Sequence, residues 1–576
     1  MNVKHIKVNG FRGIKFLDWT LNGTMLGLVG PGDSTKTTIL DAIEYALSPR
    51  WILPISDSDF YSGKPDAPIL IEITVGQIPS ELLKEDKFGL YIRGWGHDEY
   101  IIDEPDDECS QVLTVRLTIT TDYEASWAVV TERHDDDKAI SWRDRARLGV
   151  VRLGSEVNRD LAWGRGSSLS RLTGDLGVEN VLAEAYRSAR EAVSDEQLIN
   201  LVEAAKTATK RAREIGATAE KDFRPALDSA AMSINIGALS LHEGSIPVRA
   251  AGLGTRRLVA LAIQQAIVPD GAILLIDEIE HALEPHRIRR LIRHLRTSIA
   301  SSDSNQADSD QHGQIITTTH SPITIVELNA SEIRIVRSEK GETKILSPDQ
   351  DLQGVIRFAP YALLGRRIVV CEGATEVGLC RGMENYWREK HSGESIACRG
   401  VVFVDGGGSH APNRAYSLAG LGYIVAYFAD SDRDINPSVS ELTQAGIKVI
   451  HWDEYMSTEQ RIFSDLPWEL IQETFNLAIE EHEFDSVRDA VAFQLDCDPC
   501  SLTREVNSWI NDNTDESKIR NALSEAALGS DNRPGWYKRI DKAERLAEII
   551  IKGIPQINHT DLVKKLSALE SWCYAR

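Results

Sequence analysis

Acidic residues follow three apolar segments in the second half of the chain. RRIVVCEGATE carries Glu372 and Glu376, GVVFVDGG leads to Asp405, and YIVAYFADSD ends in Asp430 and Asp432. Taken singly, such acids are ordinarily solvated turn residues or charges at a helix N-terminus. If the three segments are strands of one parallel sheet, however, their carboxyl ends share an edge and the acids converge there. Converging carboxylates repel one another unless cations neutralise them, so the pattern predicts a site for Mg²⁺ or Mn²⁺.

A second candidate site lies near the start, in LVGPGDSTKTTILDAIEYAL. An apolar strand, a short Gly/Ser/Thr loop and an amphipathic helix follow one another, as in a phosphate-binding loop of the pattern G-x-x-x-x-G-K-[ST]. Backbone N–H groups at the helix N-terminus would face the phosphates of ATP, while Lys36 pairs with the β and γ phosphates and Thr37 ligates Mg²⁺. The candidate nucleotide-binding residues here are Gly30, Asp33, Ser34, Thr35, Lys36, Thr37 and Thr38.

One position departs from that pattern, because Thr35 stands where the second glycine is expected. A β-branched residue is compatible with helical φ, and a negative φ at Thr35 would let the loop close normally. We therefore expect ATP binding to survive and place the effect of the substitution on the rate of hydrolysis.

Three further segments complete a nucleotide site. AILLIDEIEH is an apolar strand that ends in Asp277, expected to hold Mg²⁺, and Glu278, expected to polarise the attacking water. RAAGLGTRRL opens an apolar helix with Gly252 and Gly254, which is an anion-binding arrangement. QIITTTHSP places His320 at the end of another strand, where it would contact the γ-phosphate.

The elements that position these motifs divide the chain into segments. Residues 1–176 are rich in strand patterns. The pattern of residues 177–240 predicts helices, which are a candidate dimerisation element. Strand and helix patterns alternate again over residues 241–350. A second parallel α/β unit with a helical extension occupies 360–576. At 576 residues the chain is too long for a single core, so several domains are expected.

Composition narrows the functional class. The chain has 64 Lys and Arg against 87 Asp and Glu, a formal charge of −23, which argues against a generally basic nucleic-acid-binding surface but leaves room for a local basic groove. Its seven scattered cysteines lack zinc-finger spacing and are expected to be reduced thiols of a cytoplasmic protein. The sequence begins without the pattern of a signal peptide and has no apolar run of bilayer length, so no membrane association is expected.

The first group of motifs resembles the ABC-type ATPases of the SMC, Rad50 and RecF kind. The phosphate loop, the Gly-rich segment, the strand ending in Asp277 and the segment with His320 have that family's order, and KHIKVNGFRGIKF is similar to its first strand. In that family an insertion separates the two halves and the Gly-rich segment acts across a dimer. The resemblance therefore implies ATP as cofactor and a homodimer or higher homo-oligomer.

The second group resembles the Toprim fold, on the elements strand-Glu-Gly, strand-Asp-Gly-Gly and strand-Asp-x-Asp. An N-terminal ABC-type ATPase with a C-terminal Toprim domain resembles the OLD (overcoming lysogenization defect) family of nucleases, including Gabija nuclease subunits and OLD-type effectors found beside retrons. The resemblance implies a Rossmann-like α/β domain that uses Mg²⁺ or Mn²⁺ to cleave phosphodiesters of DNA.

Carried onto this sequence, the resemblance implies roles for individual residues. By position, Glu469 in DLPWEL matches a later family acid and Lys538 in GWYKR matches a lysine that stabilises the transition-state phosphate, with Asp465 and Lys542 as nearby competitors. Arg433 stands where the family often has an acid, and it is a candidate contact to DNA phosphate. The implied metal ligands are Glu372, Glu376, Asp405, Asp430, Asp432, Glu469, Thr37 and Asp277, and the implied catalytic residues are Glu372, Asp430, Asp432, Lys538 and Glu278.

Together these patterns predict an ATP-regulated, divalent-metal-dependent DNA endonuclease of bacterial antiphage defence. The expected partners are DNA, further copies of the chain, and either a reverse transcriptase with its small DNA or RNA product or a helicase. Two alternatives remain, namely a non-nucleolytic ATP-binding sensor or scaffold with a decayed Toprim half, and a RecF-like DNA repair ATPase. A topoisomerase is disfavoured because no segment resembles a domain that bears a catalytic tyrosine.

Overall fold

The computed structural model describes residues 1–106, 108–154, 157–163, 167–173, 184, 188, 199–214, 221–223, 239–268, 271–300, 313–511, 514–529 and 535–575. In these residues the strands form a 14-stranded sheet, a two-stranded ribbon and a four-stranded sheet, which confirms the predicted α/β fold class. Much of the predicted helical segment 177–240, and residues 301–312 of a polar segment before the next strand, lie outside the described residues.

Most strands lie in the first two thirds of the chain, and the last six helices follow the final strand. The strands are β1 (Asn2–Phe11), β2 (Ile14–Thr20), β3 (Met25–Val29), β4 (Ile69–Gly76), β5 (Arg93–Trp95), β6 (Ile101–Ile102), β7 (Ser110–Ile119), β8 (Ala125–Val129), β9 (Lys138–Ala139), β10 (Val150–Leu153), β11 (His242–Glu243), β12 (Ile246–Pro247), β13 (Ile273–Ile276), β14 (Gln314–Thr318), β15 (Ile333–Glu339), β16 (Glu342–Leu346), β17 (Arg367–Cys371), β18 (Val401–Asp405), β19 (Ile424–Ala429) and β20 (Lys448–His451). The described α-helices are α1 (Lys36–Leu47), α2 (Trp142–Ala146), α3 (Val157–Asp160), α4 (Ser168–Thr173), α5 (Ile199–Glu214), α6 (Leu253–Ala266), α7 (Pro285–Ala300), α8 (Pro322–Glu327), α9 (Gln353–Phe358), α10 (Ala374–Lys390), α11 (Ala411–Gly420), α12 (Val439–Gln444), α13 (Thr458–Asp465), α14 (Trp468–His482), α15 (Phe484–Leu495), α16 (Glu516–Leu528), α17 (Ile540–Gly553) and α18 (Asp561–Cys573).

The large sheet joins the two halves of the predicted ATPase. Its order is β10-β13-β14-β3-β15-β16-β2-β1-β4-β7-β5-β6, with β8 and β9 branching from β7. The segment β10-β13-β14-β3-β15 is parallel, whereas β1, β2, β4 and β7 pair in antiparallel fashion. Every residue of β3 and β14 is buried, as expected for central parallel strands. Because β13, β14 and β3 are neighbours and parallel, the segments that follow them emerge side by side at one sheet edge.

The smaller sheet has the order β18-β17-β19-β20, and all of its pairs are parallel. The chain leaves β17 to one side to form β18 and returns to the other side to form β19, so the topology switches between β17 and β19. In open α/β sheets the crevice at such a switch point is the usual position of a site. Glu372 follows β17 and Asp430 follows β19, which places both residues at this crevice.

Buried apolar side chains connect the two sheets. One cluster contains Met25, Ile276 and Ile315 of the large sheet together with Val370 and Tyr427 of the small one. The other face of the small sheet packs on helices α10 and α13–α18 through a separate apolar cluster. Within the described residues, no helix has the length and apolar character needed to span a bilayer.

Candidate nucleotide site and acidic cluster

The loop between β3 and α1 encloses the side chain of Lys36. Its Nζ donates to the carbonyl oxygens of Gly30 (3.1 Å) and Pro31 (2.8 Å) and to Ser34 Oγ (2.9 Å). Burial lowers the pKa of Lys36 to about 8, while nearby acids including Asp33 partly offset this effect. The sequence-predicted loop residues therefore form one compact turn at the N-terminus of α1, where backbone N–H groups favour an anion.

The backbone conformation of Thr35 bears on how the loop closes. The condition of a negative φ is not met, because Thr35 has φ 66° and ψ 12°, in the left-handed region where a β-branched residue is an outlier. Its hydroxyl lies 2.6 Å from the carbonyl oxygen of Ser34 and 3.2 Å from Thr343 Oγ1 on β16. The glycine of the usual pattern suits this conformation, so Thr35 costs the loop about 1–2 kcal/mol of backbone strain.

Asp277 and Thr37 are brought together as predicted for a Mg²⁺ site. Thr37 Oγ1 donates to Asp277 Oδ1 over 3.1 Å, and Thr318 Oγ1 of β14 donates to the same oxygen over 2.5 Å. Arg152 Nη2 on β10 contacts Asp277 Oδ2 at 3.1 Å, and its Nη1 lies 3.1 Å from Asp41 Oδ1 on α1. No sequence motif marked Arg152, because it reaches the site only through the pairing of β10 with β13. The hydroxyl and carboxylate oxygens fit a hard cation.

Glu278 and His320 lie next to this pair. Glu278 has an exposed side chain whose carboxylate is 3.5 Å from His281 Nδ1, and its backbone N–H donates to Thr318 Oγ1 over 2.8 Å. The backbone N–H of His320 donates to Glu280 Oε1 over 2.7 Å. The pKa of His320 is lowered, first by burial and then by the positive charge of Lys36. These two predicted residues are therefore close enough to interact electrostatically. Glu280, three residues after Asp277, was missed because its role depends on the position of the β14 loop.

The Gly-rich segment approaches the loop that follows β13. Gly252 caps α6, and a Cβ at Gly254 would clash with the carbonyl oxygen of Ala282, so only glycine fits there. Arg257, one turn further along α6, donates Nη2 to the carbonyl oxygens of Asp277 (2.9 Å) and Glu278 (2.7 Å). No hydrogen bond among the described residues links Gly252 or Gly254 to the phosphate loop, and their action on a second copy stays a prediction.

At the crevice of the small sheet, two predicted acids contact Thr458, and a third, Glu372, contacts the backbone of one of them. Thr458 Oγ1 lies 2.7 Å from Glu376 Oε1 and 2.6 Å from Asp430 Oδ1, and the Thr458 N–H donates to the same Asp430 oxygen over 2.8 Å. Glu372 Oε2 accepts the N–H of Asp430 over 3.0 Å. Glu376 also accepts the N–H of Gly373 at the start of α10, over 2.9 Å. We call Glu372, Glu376, Asp430 and Glu459, described below, the acidic cluster.

The hydroxyl of Thr458 contacts two carboxylates, Glu376 and Asp430, whose pKa values are both raised. The hydroxyl accepts from Trp452 Nε1 over 2.8 Å and has a single hydrogen, so it cannot donate to both Glu376 and Asp430. Burial, and secondarily the charge of Glu376, raises the pKa of Asp430 to about 9. Burial also raises the pKa of Glu376 and of Glu372. A cation bound here would favour the same carboxylates in their ionised form.

Glu459 belongs to this group although sequence reasoning missed it. It is 3% exposed, and its Oε1 is buried without a hydrogen-bond partner in the described structure. Burial and then the charge of Glu376 raise its pKa to about 7, and Lys538 acts in the opposite direction. Leaving a buried carboxylate oxygen unsatisfied is costly, and a cation or its bound water would satisfy it. The donor set therefore fits a divalent metal.

Glu469 makes no contact with the cluster in the described residues, so its assignment as the later acid stays a prediction that this geometry does not support. It lies exposed in the first turn of α14, and no hydrogen bond or ion pair of the described residues joins it to the other acids. Its competitor Asp465 pairs with Arg461 at 3.2 Å and accepts the N–H of Leu562 over 2.9 Å, which is a structural role. The inward-facing acid of this region is instead Glu459, on the first turn of α13.

The remaining predicted residues lie around the cluster. Asp405 ends β18 beside Cys371 and accepts the N–H of Gly407 over 2.8 Å. Asp432 lies 3.3 Å from Arg433 Nε, so this arginine is partly neutralised by its neighbour. As the side chains are placed, no three His, Cys, Asp or Glu side chains of the described residues already form a metal-binding arrangement. The metal therefore stays a prediction supported by the donor chemistry.

Lys538 and its competitor Lys542 are separated by their environments. Lys538 is exposed, and its charge acts on the pKa values of Glu372 and Glu459. Lys542 is buried and contacts Glu481 Oε1 at 2.7 Å. Lys538 is therefore free to contact a phosphate, which is the role predicted for it, whereas Lys542 already forms an ion pair with Glu481.

Comparisons with known proteins find one matching family and one similar curated protein. The family described as "AAA domain, putative AbiEii toxin, Type IV TA system" matches residues 110–327. The chain is 26% identical over 368 residues to the OLD nuclease of Thermus scotoductus (strain ATCC 700910 / SA-01), a match that covers 60% of this chain and 64% of that protein. The match thus spans less than two thirds of the relative's length. The chain is thus similar to an AAA-type domain over residues 110–327 and to an OLD nuclease over part of its length.

Solved structures of SMC head domains are also similar to part of the chain. The SMC head bound to the C-winged helix domain of ScpA is 15% identical with a TM-score of 0.35, and covers 61% of this chain and 100% of its own. The SMC head domain from Thermotoga maritima is 13% identical with a TM-score of 0.29, and covers 61% and 100%, respectively.

Proposed function

We propose that this chain is an ATP-regulated, divalent-metal-dependent endonuclease that cleaves DNA. The observation that carries the proposal is the acidic cluster at the β17/β19 crevice, where Thr458 Oγ1 contacts both Glu376 and Asp430, and Glu459 Oε1 has no hydrogen-bond partner among the described residues. Structural acids are normally paired with cations or backbone donors, whereas carboxylates with raised pKa values in a crevice are typical of functional sites. The sequence similarity to an OLD nuclease supports the same assignment.

The chemistry follows from the residues of the cluster. A divalent metal, held by Glu372, Glu376, Asp430, Asp432 and Glu459 with Asp405 beside them, would neutralise the scissile phosphate and activate a water as nucleophile. Glu372 and Asp430 are held in place by the backbone of the neighbouring strand end and of α13. The exposed Lys538 supplies a positive charge on the open side of the cluster, where a phosphate group would gain negative charge in the transition state.

We assign the ATP site a regulatory role. Thr37 and Asp277 would hold Mg²⁺ at the phosphates of ATP, Lys36 would contact the phosphates, and Glu278 would orient the water. The strained Thr35 favours slow hydrolysis, so ATP acts as a gate on DNA cleavage rather than as fuel for steady movement. An ATPase rate that rises strongly during DNA translocation would contradict this assignment.

The biological setting that we propose is bacterial antiphage defence. It rests on the similarity to an OLD nuclease and on the combination of an ATPase half with the acidic cluster. Further copies of the chain, and either a reverse transcriptase with its small nucleic-acid product or a helicase, are the proposed partners. Pull-down from the native host, with and without phage infection, would identify them.

The experiment that tests the activity is cleavage of supercoiled plasmid and single-stranded DNA with Mg²⁺ or Mn²⁺, with and without ATP. Asp432→Ala is expected to abolish cleavage, whereas Asp434→Ala, an exposed acid two residues further along the same loop, is expected to retain it. Lys36→Ala is expected to remove the response to ATP while leaving the acidic cluster intact.

Each outcome distinguishes the candidate functions. Cleavage that is lost in Asp432→Ala but kept in Asp434→Ala supports a nuclease and eliminates the non-nucleolytic sensor. Processive resection in place of discrete nicking would favour the RecF-like repair enzyme. Equal loss in both variants, or cleavage that persists in Asp432→Ala, would refute the assignment of the acidic cluster.

A further inference from the structure

Helix α7 is strongly basic in a chain of net charge −23. Its sequence, PHRIRRLIRHLRTSIA, contains five arginines, two histidines and no acid. The apolar side chains Ile288, Leu291, Ile292 and Leu295 are buried beneath the helix. The basic residues therefore lie on the outer side, and the helix faces solvent with positive charge.

Part of this charge is neutralised by ion pairs along the flanks. Arg287 contacts Glu284 at 3.1 Å, Arg289 contacts Glu327 at 3.0 Å, and Arg296 contacts Glu332 at 2.7 Å. Two arginines on the outer side, Arg290 and Arg293, make no ion pair with a carboxylate of the described residues. The charge that remains is thus concentrated along the middle of the helix.

The exposed side chains form a line rather than a scattered set. His286, Arg290, Arg293 and Thr297 have the spacing i, i+4, i+7 and i+11, which places them on one side of a helix. Together with Arg289 and His294 they line a shallow depression of about 500 Å³. At 1.5 Å per residue this line is about 16 Å long, which corresponds to about five nucleotides of a DNA strand at 3.4 Å each. We call these six residues the basic face.

We propose that the basic face binds the phosphate backbone of duplex DNA. The inference rests on the proposed function in one respect, since DNA is the substrate named there. Arginine side chains bind phosphate through paired N–H groups, and a line of them can follow a phosphate backbone. The overall negative charge repels DNA, so binding requires a local region of this kind.

The composition of the basic face argues for a nucleic acid over other partners. Protein interfaces bury an apolar or aromatic centre, and the basic face contains only arginine, histidine and threonine. A helix that binds a membrane surface keeps its apolar side free for the lipid, whereas the apolar side of α7 is already buried in the protein.

The basic face also begins close to the nucleotide site. Helix α7 starts eight residues after Asp277, and Arg287 Nη1 contacts Thr255 Oγ1 of the Gly-rich segment at 3.2 Å. DNA bound along α7 would therefore lie next to the segment that is predicted to contact ATP on a second copy. DNA bound on α7 would therefore act on the position of the Gly-rich segment, and through it on ATP hydrolysis.

The test is the affinity of the full-length protein for a fluorescent 30-base-pair duplex, measured by anisotropy in EDTA so that no cleavage occurs. Arg290→Glu with Arg293→Glu is expected to weaken binding at least tenfold at 100 mM salt. In a salt titration, Arg290→Ala with Arg293→Ala should reduce the slope of log K against log salt by about 2, because each phosphate contact contributes about 0.9. Arg357→Glu with Arg388→Glu, two exposed arginines elsewhere, provides a control with the same change in net charge.

Three outcomes would overturn the inference. Equal weakening by both glutamate pairs would show a general charge effect and no specific surface. Unchanged affinity in the Arg290 and Arg293 variants would exclude the basic face, and plasmid cleavage by the same proteins in Mg²⁺ would show that the proposed function still holds. A wild-type protein that neither binds the duplex nor cleaves plasmid would refute both proposals. Thermal unfolding curves that match the wild type establish that the variants are folded.

Discussion

Replacement of Thr35 by glycine and by alanine isolates the backbone strain of the phosphate loop. Thr35 has φ 66°, and its hydroxyl contacts the carbonyl oxygen of Ser34 (2.6 Å) and Thr343 Oγ1 (3.2 Å). Both replacements remove the hydroxyl and its two contacts. They differ only in the methyl group that resists the left-handed conformation, so the comparison of alanine with glycine measures the cost of that conformation.

The expected magnitudes follow from these contacts. Loss of two hydrogen bonds costs about 1–2 kcal/mol, so Thr35→Ala is expected to destabilise the loop. The left-handed conformation costs an L-residue about 1–2 kcal/mol, while glycine loses about 0.5–1 kcal/mol through its greater freedom in the unfolded chain. We therefore expect Thr35→Gly to be more stable than Thr35→Ala by about 0.5–1 kcal/mol. At a helical position the order is reversed, and alanine is favoured by about 1 kcal/mol.

Native-state hydrogen exchange of the β3 and α1 amides is the appropriate assay, because a chain with several domains does not unfold in one step. The control is the same pair of replacements at Thr38, which lies inside α1. Glycine should be the more stable replacement at position 35 and the less stable one at position 38. If alanine is the more stable replacement at both positions, φ at residue 35 is negative and the argument for a strained loop is wrong.

Two further predictions compare pairs of residues, and a third concerns a single glycine. Glu459→Gln is expected to reduce plasmid cleavage at least tenfold, whereas Glu469→Gln leaves it unchanged, because only Glu459 is buried in the acidic cluster. Lys542→Met is expected to weaken the hydrogen-exchange protection of the α17 amides by removing an ion pair, while Lys538→Met should reduce cleavage and leave that protection unchanged. Gly254→Ala is expected to slow ATP hydrolysis in a phosphate-release assay, since a Cβ at this position clashes with the loop after β13. If the second residue of either pair has the effect expected of the first, the position assigned to that pair is wrong. Normal ATP hydrolysis by Gly254→Ala would show that the contact with the loop after β13 does not matter for turnover.

The features that could be predicted from the sequence are those set by buried parallel strands. Such strands appear as short apolar runs, and a polar residue directly after the run must lie at the sheet edge. This reasoning placed Asp277 after β13, Glu372 after β17 and Asp430 after β19. In the structure, Asp277 contacts the predicted Thr37, while Asp430 contacts Thr458, which no sequence pattern indicated.

Features that depend on tertiary packing were not accessible from sequence patterns. Glu459 and Glu469 are both acids in the first turn of a helix, and the choice between them depends on which helix lies against the small sheet. Ser457 caps α13 and sets the first turn of that helix next to Asp430, whereas α14 begins after Pro467 and exposes Glu469. In the same way, the φ of Thr35 is set by the surrounding loop and by Thr343 on β16, about 300 positions further along the chain.

The way in which the two halves meet restricts how ATP can control cleavage. Arg337 of β15 stacks on Tyr423 just before β19 at 3.6 Å, and the Tyr423 hydroxyl donates to the carbonyl oxygen of Leu363 over 2.7 Å. Tyr423 and Leu363 belong to the apolar cluster that runs from the large sheet to the small one. Rotation of one half against the other would expose this apolar surface to water, which costs roughly 25 cal/mol per Å². We therefore expect ATP to act through the assembly of copies across the Gly-rich segment, or through the loops at the sheet edges, while the junction at Arg337 and Tyr423 stays closed.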